Sequence, residues 1–266
     1  MKDNWIKAVK KQSHGQLRIF CQSADEKWIN LAVSYWRGEI TGLTRVKSSP
    51  YTIVHNGTVM AQSCYFKRYL MRDTSDRIKH IIRHSRARRA LANNEMIRSL
   101  GFRFPRSVCL IEKSIAGFVQ ESVLITEAIK DAPDVRYYID TLTAGSVRLR
   151  RQFLSSFGRA VGEMHSQGVH HGDMRVGNIL CQFLHGEFVF YWLDNERTKR
   201  YATLPISRRI NNLVQLNMVR GLNLTDRMRF WKAYMEESCL PSHLEKKVIR
   251  VVINKTWKRL KKKGRI

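Results

Sequence analysis

The alternation of apolar and polar residues divides the chain into a β-rich first part and a mainly helical second part. In the first part, β-rich segments flank one helical segment, predicted from about Ser75 to Leu100 and closed by Gly101. The predicted strands are 44–54, 58–70, 102–112 and 118–129. The sequence HNG at 55–57 joins the first two strands and predicts a hairpin with an Asn-Gly turn.

Helical periodicity begins after the Asp-Ala-Pro sequence at 131–133. One helix is predicted to end at Gly168, and its apolar face carries Leu154, Phe157, Val161 and Met164. The apolar strand FVFYWL at 188–193 follows and leads directly into Asp194. The pattern predicts an α+β protein of two lobes, a β-rich N-lobe at 1–129 and a helical C-lobe at 130–266.

The C-terminal segment has the pattern of an amphipathic helix. Ser242 and Glu245 have the spacing of a capping box at its start. Four apolar residues recur at helical spacing on one face: Ile249, Ile253, Trp257 and Leu260. The first three are expected to dock on the C-lobe while the lysines face water. The last residues, KRLKKKGRI at 258–266, have too few apolar side chains to pack a core, so we expect them to meet an anionic surface.

Composition indicates a folded protein, with 43% hydrophobic residues and 10% aromatic residues. The longest apolar run, FVFYWL, is too short to cross a bilayer, and the N-terminus lacks the apolar segment of a signal peptide. We therefore expect a cytoplasmic protein. The five cysteines form no CxxC pair and are expected to be reduced and mostly buried.

The net charge is the unusual feature, because 48 Lys and Arg against 22 Asp and Glu leave a formal +26. Such a protein is expected to bind an anionic partner, and nucleic acid, acidic lipid and phosphorylated glycan are the candidate classes. The two most basic segments, 77–90 and 246–266, do not interleave aromatic residues in the manner of a single-strand stacking surface. Nucleic acid is therefore not expected.

The sequence HHGDMRVGNIL at 170–180 carries the candidate chemistry. Asn178 follows Asp173 by five residues, and Asp194 follows Asn178 by sixteen. Asp173 could accept the proton of an attacking hydroxyl, while Asn178 and Asp194 could supply oxygen ligands to Mg²⁺. The alternative is a polar turn without chemistry, because Gly, Asp and Asn are common turn formers.

Two residues further upstream favour the chemical interpretation. Lys67 lies near the end of a predicted strand, and Glu95 is the only glutamate of the predicted helix. A strand lysine, a helix glutamate, HxDxxxxN and a strand-terminal aspartate are, in this order, the parts of a kinase-like phosphotransferase. Lys67 would hold the phosphates of ATP, and Glu95 would keep the lysine oriented.

The segments HGDMRVGNIL and FYWLDNERTKRY, with CYFKRYL upstream and DRMRFWKAYMEE downstream, resemble the bacterial lipopolysaccharide core kinases, which include heptose and Kdo kinases and their InaA-like relatives. The resemblance spans roughly residues 40–240. It implies a protein-kinase-like fold, with Asp173 as catalytic base, Asn178 and Asp194 as metal ligands and Lys67 as the nucleotide lysine. Gly172 replaces the arginine of ordinary protein kinases, and KSSP at 47–50 replaces a glycine-rich loop, where Ser48 or Ser49 could substitute.

The resemblance implies ATP-dependent phosphorylation of a heptose or Kdo hydroxyl, at the cytoplasmic face of the inner membrane. The positive charge would then meet the lipopolysaccharide core, or another anionic envelope glycan, and the anionic bilayer. Two alternatives stay open. One is a small protein kinase with a similar HGD loop, and the other is a pseudokinase-type module that binds an anionic membrane or glycan.

Overall fold

The computed structural model describes residues 6–12, 15–21, 26–46, 48–71, 84–116, 118–143 and 145–264. The described strands β1–β11 are Ile6–Gln12, Gly15–Cys21, Thr44–Val46, Thr52–Val59, Gln62–Tyr69, Ser107–Ile115, Phe118–Glu127, Val169–His170, Ile179–Leu184, Glu187–Trp192 and Lys199–Arg200. The described helices α1–α7 are Glu26–Arg37, Arg86–Arg98, Val135–Thr143, Val147–Ser166, Ile206–Asn217, Leu224–Glu237 and Ser242–Lys262. Two short 3₁₀ turns span Val176–Asn178 and Asn195–Arg197.

The described residues form two compact units. The N-terminal unit includes the chain up to Glu95 and Pro105–Lys130, and the C-terminal unit includes Met96–Phe104 and the chain from Asp131. The N-terminal unit is built on a seven-stranded antiparallel sheet in the order β1-β2-β6-β7-β5-β4-β3.

Side-chain alternation gives this sheet two buried faces. In β6, Cys109 and Ile111 pack in one cluster with Leu31 of α1, whereas Leu110 packs in a second cluster with Leu91 of α2. Successive strand residues point to opposite faces, so one strand supplies both clusters. A helix covers each face, which explains why β6 is buried at almost every position.

The predicted hairpin exists, but the prediction of its turn at 55–57 is wrong. The chain reverses between β4 and β5 at Met60 and Ala61, which have φ values of 52° and 60°. Two successive left-handed residues form a tight turn that matches the twist of the strands. Asn56 and Gly57 lie inside β4 instead, and a Cβ on Gly57 would approach Leu43 Cδ2 to 2.6 Å. The glycine therefore serves close packing and not chain reversal.

The helix predicted from Ser75 to Leu100 is α2, which begins at Arg86 and ends at Arg98, since residues 84 and 85 are not helical; residues 75–83 lie outside the described part of the chain. The two later strands of the N-lobe, predicted at 102–112 and 118–129, correspond to β6 and β7. The prediction that all five cysteines are reduced is wrong for one pair. Cys21 and Cys109 form a disulfide with their Cα atoms 4.4 Å apart.

The pairing of β2 with β6 explains this disulfide. Its register places Cys21 directly opposite Cys109, although 88 residues separate them in sequence. Sequence spacing could not reveal that register. Cys64, Cys181 and Cys239 are free thiols, and only Cys239 of these three is exposed.

The C-terminal unit is organised around helix α4. The apolar face predicted from the sequence is confirmed, since Leu154, Phe157, Val161 and Met164 are all buried in one core. Gly168, with φ of +79°, follows the helix end as predicted. Gly158 and Gly162 let α4 approach α6 closely: a Cβ on Gly162 would come within 2.7 Å of the Tyr234 carbonyl oxygen, and one on Gly158 would clash with the Phe230 carbonyl.

The C-terminal helix α7 forms as predicted, but it is rotated about its own axis, so a different row of side chains is buried. Its N-cap residue is Pro241, and Glu245 accepts a hydrogen bond from Trp231 Nε1 at 2.8 Å, so the predicted capping box is absent. Thr256 accepts a bond from Asn217 Nδ2 at 3.0 Å. These two polar contacts fix the buried row of the helix.

Val248 and Val252 lie between Glu245 and Thr256 on that buried row. Ile253 and Trp257 are exposed as a consequence, which corrects the expectation that they dock on the C-lobe. Ile249 is partly buried and packs against the core of the C-terminal unit, so the expectation is confirmed for this residue. No helix in the described ranges is both long enough and apolar enough to span a membrane.

We expect Gly158→Ala to destabilise the protein by about 1–3 kcal/mol, as overpacking of a core does. Alanine is intrinsically favoured over glycine in a helix by about 1 kcal/mol, so any loss reports the contact with α6. Urea denaturation measures the effect. Gly145→Ala is the control, because its Cβ would come no closer than 3.4 Å to a neighbour. Equal stability of the two variants would contradict the close packing of α4 on α6.

Candidate active site

The HGD loop leaves strand β8 at His170 and runs beside the segment that follows Asp194. Strand β8 pairs with β11 through Lys199 and His170, which holds the two segments side by side. Gly172 lies so close to Arg197 that an added Cβ would overlap the arginine's own Cβ and approach its carbonyl oxygen to 2.8 Å. Glycine at this position is therefore required by packing.

Asp173 and Asn178 are joined by direct hydrogen bonds. Asn178 Nδ2 donates to the Asp173 carbonyl oxygen at 2.9 Å and to its carboxylate Oδ2 at 3.1 Å. The 3₁₀ turn at Val176–Asn178 brings the asparagine back over the loop. Because the amide nitrogen serves Asp173, the amide oxygen of Asn178 is the atom left to accept or coordinate.

Asp194 directly follows a residue whose backbone is bonded to Asn178. The Leu193 amide donates to the Asn178 carbonyl oxygen at 2.9 Å, so the chain leaving β10 passes Asn178 just before Asp194. Asp194 itself adopts a left-handed conformation, with φ of 60° and ψ of 47°. Aspartate tolerates this region better than most residues, and such conformations occur often at functional sites.

His171 connects the loop to the same segment. Its Nδ1 accepts a hydrogen bond from the Asp173 amide at 3.1 Å, so the proton resides on Nε2, which donates to the Leu193 carbonyl at 2.8 Å. Burial lowers the pKa of His171, which keeps the ring neutral. Both ring nitrogens are used within the protein, and the histidine therefore braces the loop and does not bind a metal.

Asn212, on helix α5, holds the backbone of His171 from the other side. Its Oδ1 accepts from the His171 amide at 3.1 Å, and its Nδ2 donates to the His171 carbonyl at 2.6 Å. One turn along, Gln215 Oε1 accepts from the Met174 amide at 2.7 Å. Sequence reasoning missed both residues, because an amide 41 positions from the loop carries no local signal.

A buried chain of side chains continues behind Asn212. His165 Nε2 lies 3.2 Å from Asn212 Oδ1, and its Nδ1 lies 3.0 Å from the Tyr234 hydroxyl. Arg209 Nη1 donates to that hydroxyl at 2.5 Å. His165 lies on α4, Tyr234 on α6, and both Asn212 and Arg209 on α5. The network thus ties the loop to the packing of the C-terminal unit.

Arg175 is a further residue that sequence reasoning missed. Its Nε lies 2.7 Å from Asp173 Oδ1, and its side chain is 67% exposed while that of Asp173 is 27% exposed. A cation two residues after the candidate base was the available signal. The pair places an accessible positive charge directly at the carboxylate.

Lys67 and Glu95 belong to the N-terminal unit. In β5, Phe66 packs toward α1, so Lys67 points to the opposite face, where its Nζ lies 5.2 Å from the centroid of the Tyr69 ring. Tyr69 packs in the cluster beneath α2 together with Leu91, which precedes Glu95 by one helical turn. The strand lysine and the helix glutamate thus lie on the same side of the sheet.

The segment in place of a glycine-rich loop connects β3 to β4. Ser48 Oγ donates to the Thr52 carbonyl oxygen at 2.5 Å, and the Thr52 amide donates to the Ser49 carbonyl oxygen at 3.0 Å. Lys47 lies outside the described residues. The Ser48 hydroxyl therefore stabilises its own turn.

Comparison with known proteins assigns the chain to a family. The model of the lipopolysaccharide kinase (Kdo/WaaP) family matches residues 37–234, which is most of the chain and includes all five predicted site residues. The chain belongs to this family. Membership implies an ATP-dependent phosphotransferase that acts in lipopolysaccharide biosynthesis.

The fold of this Kdo/WaaP-family kinase agrees with that assignment. A solved structure titled "WaaP in complex with acyl carrier protein" is similar with a TM-score of 0.68 at 18% identity, covering 91% of this chain and 98% of that one. The predicted fold class, α+β and kinase-like with an antiparallel sheet followed by a helical part, is confirmed. A search of curated protein sequences finds no match.

The donor atoms of this kinase fit a hard divalent cation. Asn178 offers an amide oxygen and Asp194 a carboxylate, and Mg²⁺ prefers a few such oxygen ligands while it retains water and phosphate oxygens. Within the described ranges, no group of three His, Cys, Asp or Glu could hold a metal. The protein's share of the coordination would therefore be small, as in kinases whose nucleotide supplies the remaining ligands.

Acidification is expected to destabilise the kinase through His165. Burial, reinforced by Arg209, lowers the pKa of His165 to about 3. Below an unfolded pKa of about 6.5, the unfolded chain takes up a proton that the folded protein refuses, so stability is full above that pH and falls toward pH 3 by up to about 1.4 kcal/mol per pH unit.

Urea unfolding at pH 7, 6, 5 and 4 measures this slope. We expect His165→Gln to reduce the slope, whereas substitution of the exposed His243 by Gln should leave it unchanged. The same slope in all three proteins would show that His165 is not the group responsible.

Proposed function

We propose that the protein transfers the γ-phosphoryl group of ATP to a sugar hydroxyl of the lipopolysaccharide core, on a heptose or Kdo residue. The observation that carries the proposal is the partly exposed Asp173 carboxylate, held by Asn178 and bounded by Arg175. Family membership supports the reaction class. The division into catalytic lobes at residues 129 and 130 is part of the same proposal.

Asp173 acts as the proton acceptor in this mechanism. One carboxylate oxygen bonds to Asn178, and the other pairs with Arg175, whose exposed side chain can swing away. An acceptor hydroxyl would replace the guanidinium at Oδ1 and pass its proton there as its oxygen attacks the γ-phosphorus, while the bond to the bridging oxygen breaks and ADP leaves. Once displaced, Arg175 would contact the phosphoryl oxygens, where charge develops.

Lys67 and Glu95 form the nucleotide side of the mechanism. Lys67 would contact the α and β phosphates of ATP, and Glu95 on α2 would keep the ammonium oriented when nucleotide is absent. Asn178 and Asp194 would hold Mg²⁺ through their oxygens. The metal, when bound, offsets the negative charge of the β and γ phosphates.

The proposed location is cytoplasmic and peripheral on the inner membrane. A formal charge of +26 requires an anionic environment, which a phosphorylated core glycan and an anionic leaflet both supply. A protein acceptor and a non-catalytic binding module are the alternatives. Incubation with labelled ATP, Mg²⁺ and competing glycan and protein acceptors, with the phosphate located by mass spectrometry, separates all three.

Replacement of Asp173 by Asn should remove the proton acceptor while leaving nucleotide binding nearly unchanged. General-base catalysis contributes about 10²–10⁴-fold, so the rate of phosphoryl transfer should fall by at least about 10². Steady-state transfer and nucleotide titration measure the two effects separately. Asp140→Asn, at an exposed aspartate of α3, is the matched control. A variant that keeps most of its transfer rate would reduce Asp173 to a turn residue.

The metal assignment is tested best with Asp194→Asn. Asparagine also tolerates the left-handed backbone of residue 194, so the substitution removes charge without imposing backbone strain. We expect the gain in nucleotide affinity on adding Mg²⁺ to shrink by at least about tenfold, the size of loss found when even an outer-sphere partner of a metal is changed. Titration of nucleotide with and without Mg²⁺ provides the measurement, and an unaltered Mg²⁺ dependence would exclude Asp194 as a ligand.

A further inference from the structure

One face of helix α5 follows the HGD loop. Asn212 bonds to the backbone of His171, and Gln215, three residues further on, bonds to the amide of Met174. Arg208 lies four residues before Asn212, which places it on the same face, one helical turn closer to the start of the loop. Arg208 is exposed, so its guanidinium is accessible beside the loop.

Lys199 reaches the same place from strand β11. It pairs directly with His170 of β8, so the two side chains project from the same side of this small sheet. Burial lowers the pKa of His170 to about 4, and the charges of Arg208 and Lys199 lower it further. Such an effect acts over short distances, so both cations lie close to the His170 ring. Two exposed cations from separate elements thus flank the start of the HGD loop.

Neither cation is neutralised by a neighbouring carboxylate in the part of the chain that the structure describes. Two carboxylates that lie close in sequence have other partners. Asp173 pairs with Arg175 at 2.7 Å, and buried Glu196 lies 3.4 Å from the Nε of Arg197. The charges beside His170 are therefore available to a ligand.

A lysine or arginine on a protein surface is most often simply solvated, but the position of Arg208 argues against that explanation. Arg208 lies in the first turn of α5, which contains no acidic residue and has no side-chain cap. The dipole of a helix disfavours a cation in its first turn. Repulsion between Arg208 and Lys199 adds to this cost, and a bound anion would offset both effects.

We propose that Lys199 and Arg208 bind one anionic group of the acceptor, a phosphate or a carboxylate, while a hydroxyl of the same molecule lies at Asp173. His170 precedes Asp173 by three residues, so their Cα atoms are at most about 11 Å apart. A small glycan can span that distance. Arginine binds either anion through two parallel hydrogen bonds, and lysine adds a point charge.

The inference rests on the proposed function and adds a second point at which the acceptor is held. Attachment at one anion and at the reacting hydroxyl restricts the rotation of the sugar and orients the hydroxyl for attack. Lys199 and Arg208 would thus select which hydroxyl of the glycan is phosphorylated, although neither touches the reacting atoms.

The first test is steady-state transfer to core oligosaccharide in three forms: untreated, dephosphorylated, and with its carboxylates reduced to alcohols. Lys199→Gln combined with Arg208→Gln should raise the KM for untreated acceptor at least about tenfold, the size of effect expected for lost hydrogen bonds to a charged group. The kcat and the KM for ATP should stay nearly unchanged. In the wild-type protein, only the treatment that removes the recognised group should raise the KM, which distinguishes phosphate from carboxylate.

Arg200→Gln is the matched control for that variant. Arg200 is exposed and follows Lys199 in the same strand, but it pairs with Val169, so its side chain leaves the opposite side of the sheet. This substitution removes the same charge and should leave the KM for acceptor unchanged. Thermal unfolding establishes that the variants are folded, and Lys199→Gln alone serves if the double variant is not.

The second test does not depend on catalysis. Inorganic phosphate, titrated into the wild-type protein, should shift the NMR signals of the His170 ring, which are assigned by their loss in His170→Gln. The shift should be absent from the double variant and retained in Arg200→Gln.

Four results would overturn the proposal: equal KM values of the wild-type protein for all three acceptor forms, an unchanged acceptor KM in the double variant, an equal effect of Arg200→Gln, or a rise confined to the KM for ATP. Absence of the His170 shift would also count against it. A phosphate-dependent shift that the double variant abolishes, in a protein that phosphorylates no glycan, would contradict the proposed function and leave the anion site standing.

Discussion

The HGD loop depends on one buried interaction, the paired hydrogen bonds between the Asn212 side chain and the backbone of His171. They fix the peptide groups on both sides of His171, and its imidazole then fixes the amide of Asp173 and the carbonyl of Leu193. Both carboxylates of the site are therefore positioned by a neutral ring. A neutral amide and imidazole suit this role, because a charge buried among so few partners would carry a large desolvation cost.

That hydrogen-bond network depends on the close packing of helices α4 and α6. The glycines of α4 bring α6 near enough for Tyr234 to reach His165, which in turn reaches Asn212. A displacement of α6 would break the chain of hydrogen bonds at its middle and leave buried donors unsatisfied. The close approach of α4 and α6 in the core therefore also determines the geometry of the HGD loop, although the glycines and Asp173 share no contact.

Sequence patterns predicted those features whose cause lies within a short stretch of chain. The face of α4, the end of that helix at Gly168 and the strand before Asp194 each follow from local periodicity. The turn at Met60 and Ala61, the Cys21–Cys109 disulfide and the rotation of α7 depend on partners elsewhere, so no local pattern could indicate them. In the candidate site, Asp173, Asn178 and Asp194 have a recognisable spacing, whereas Asn212 and Gln215 act from a distant helix and Arg175 belongs to no recognised pattern.

Composition alone could not show where the excess positive charge is available. In the N-terminal unit, cations are drawn into local partners: Arg88 pairs with buried Glu112, Arg68 pairs with Glu121 while lying over Trp36, and Arg106 pairs with Glu127. These contacts stabilise the sheet and reduce the field that a ligand would meet. On α7 the single acid, Glu245, is bonded to Trp231, and the cations that follow are exposed beside Ile253 and Trp257. The same rotation that buries Val248 and Val252 therefore places exposed positive charge and exposed apolar surface on one helix.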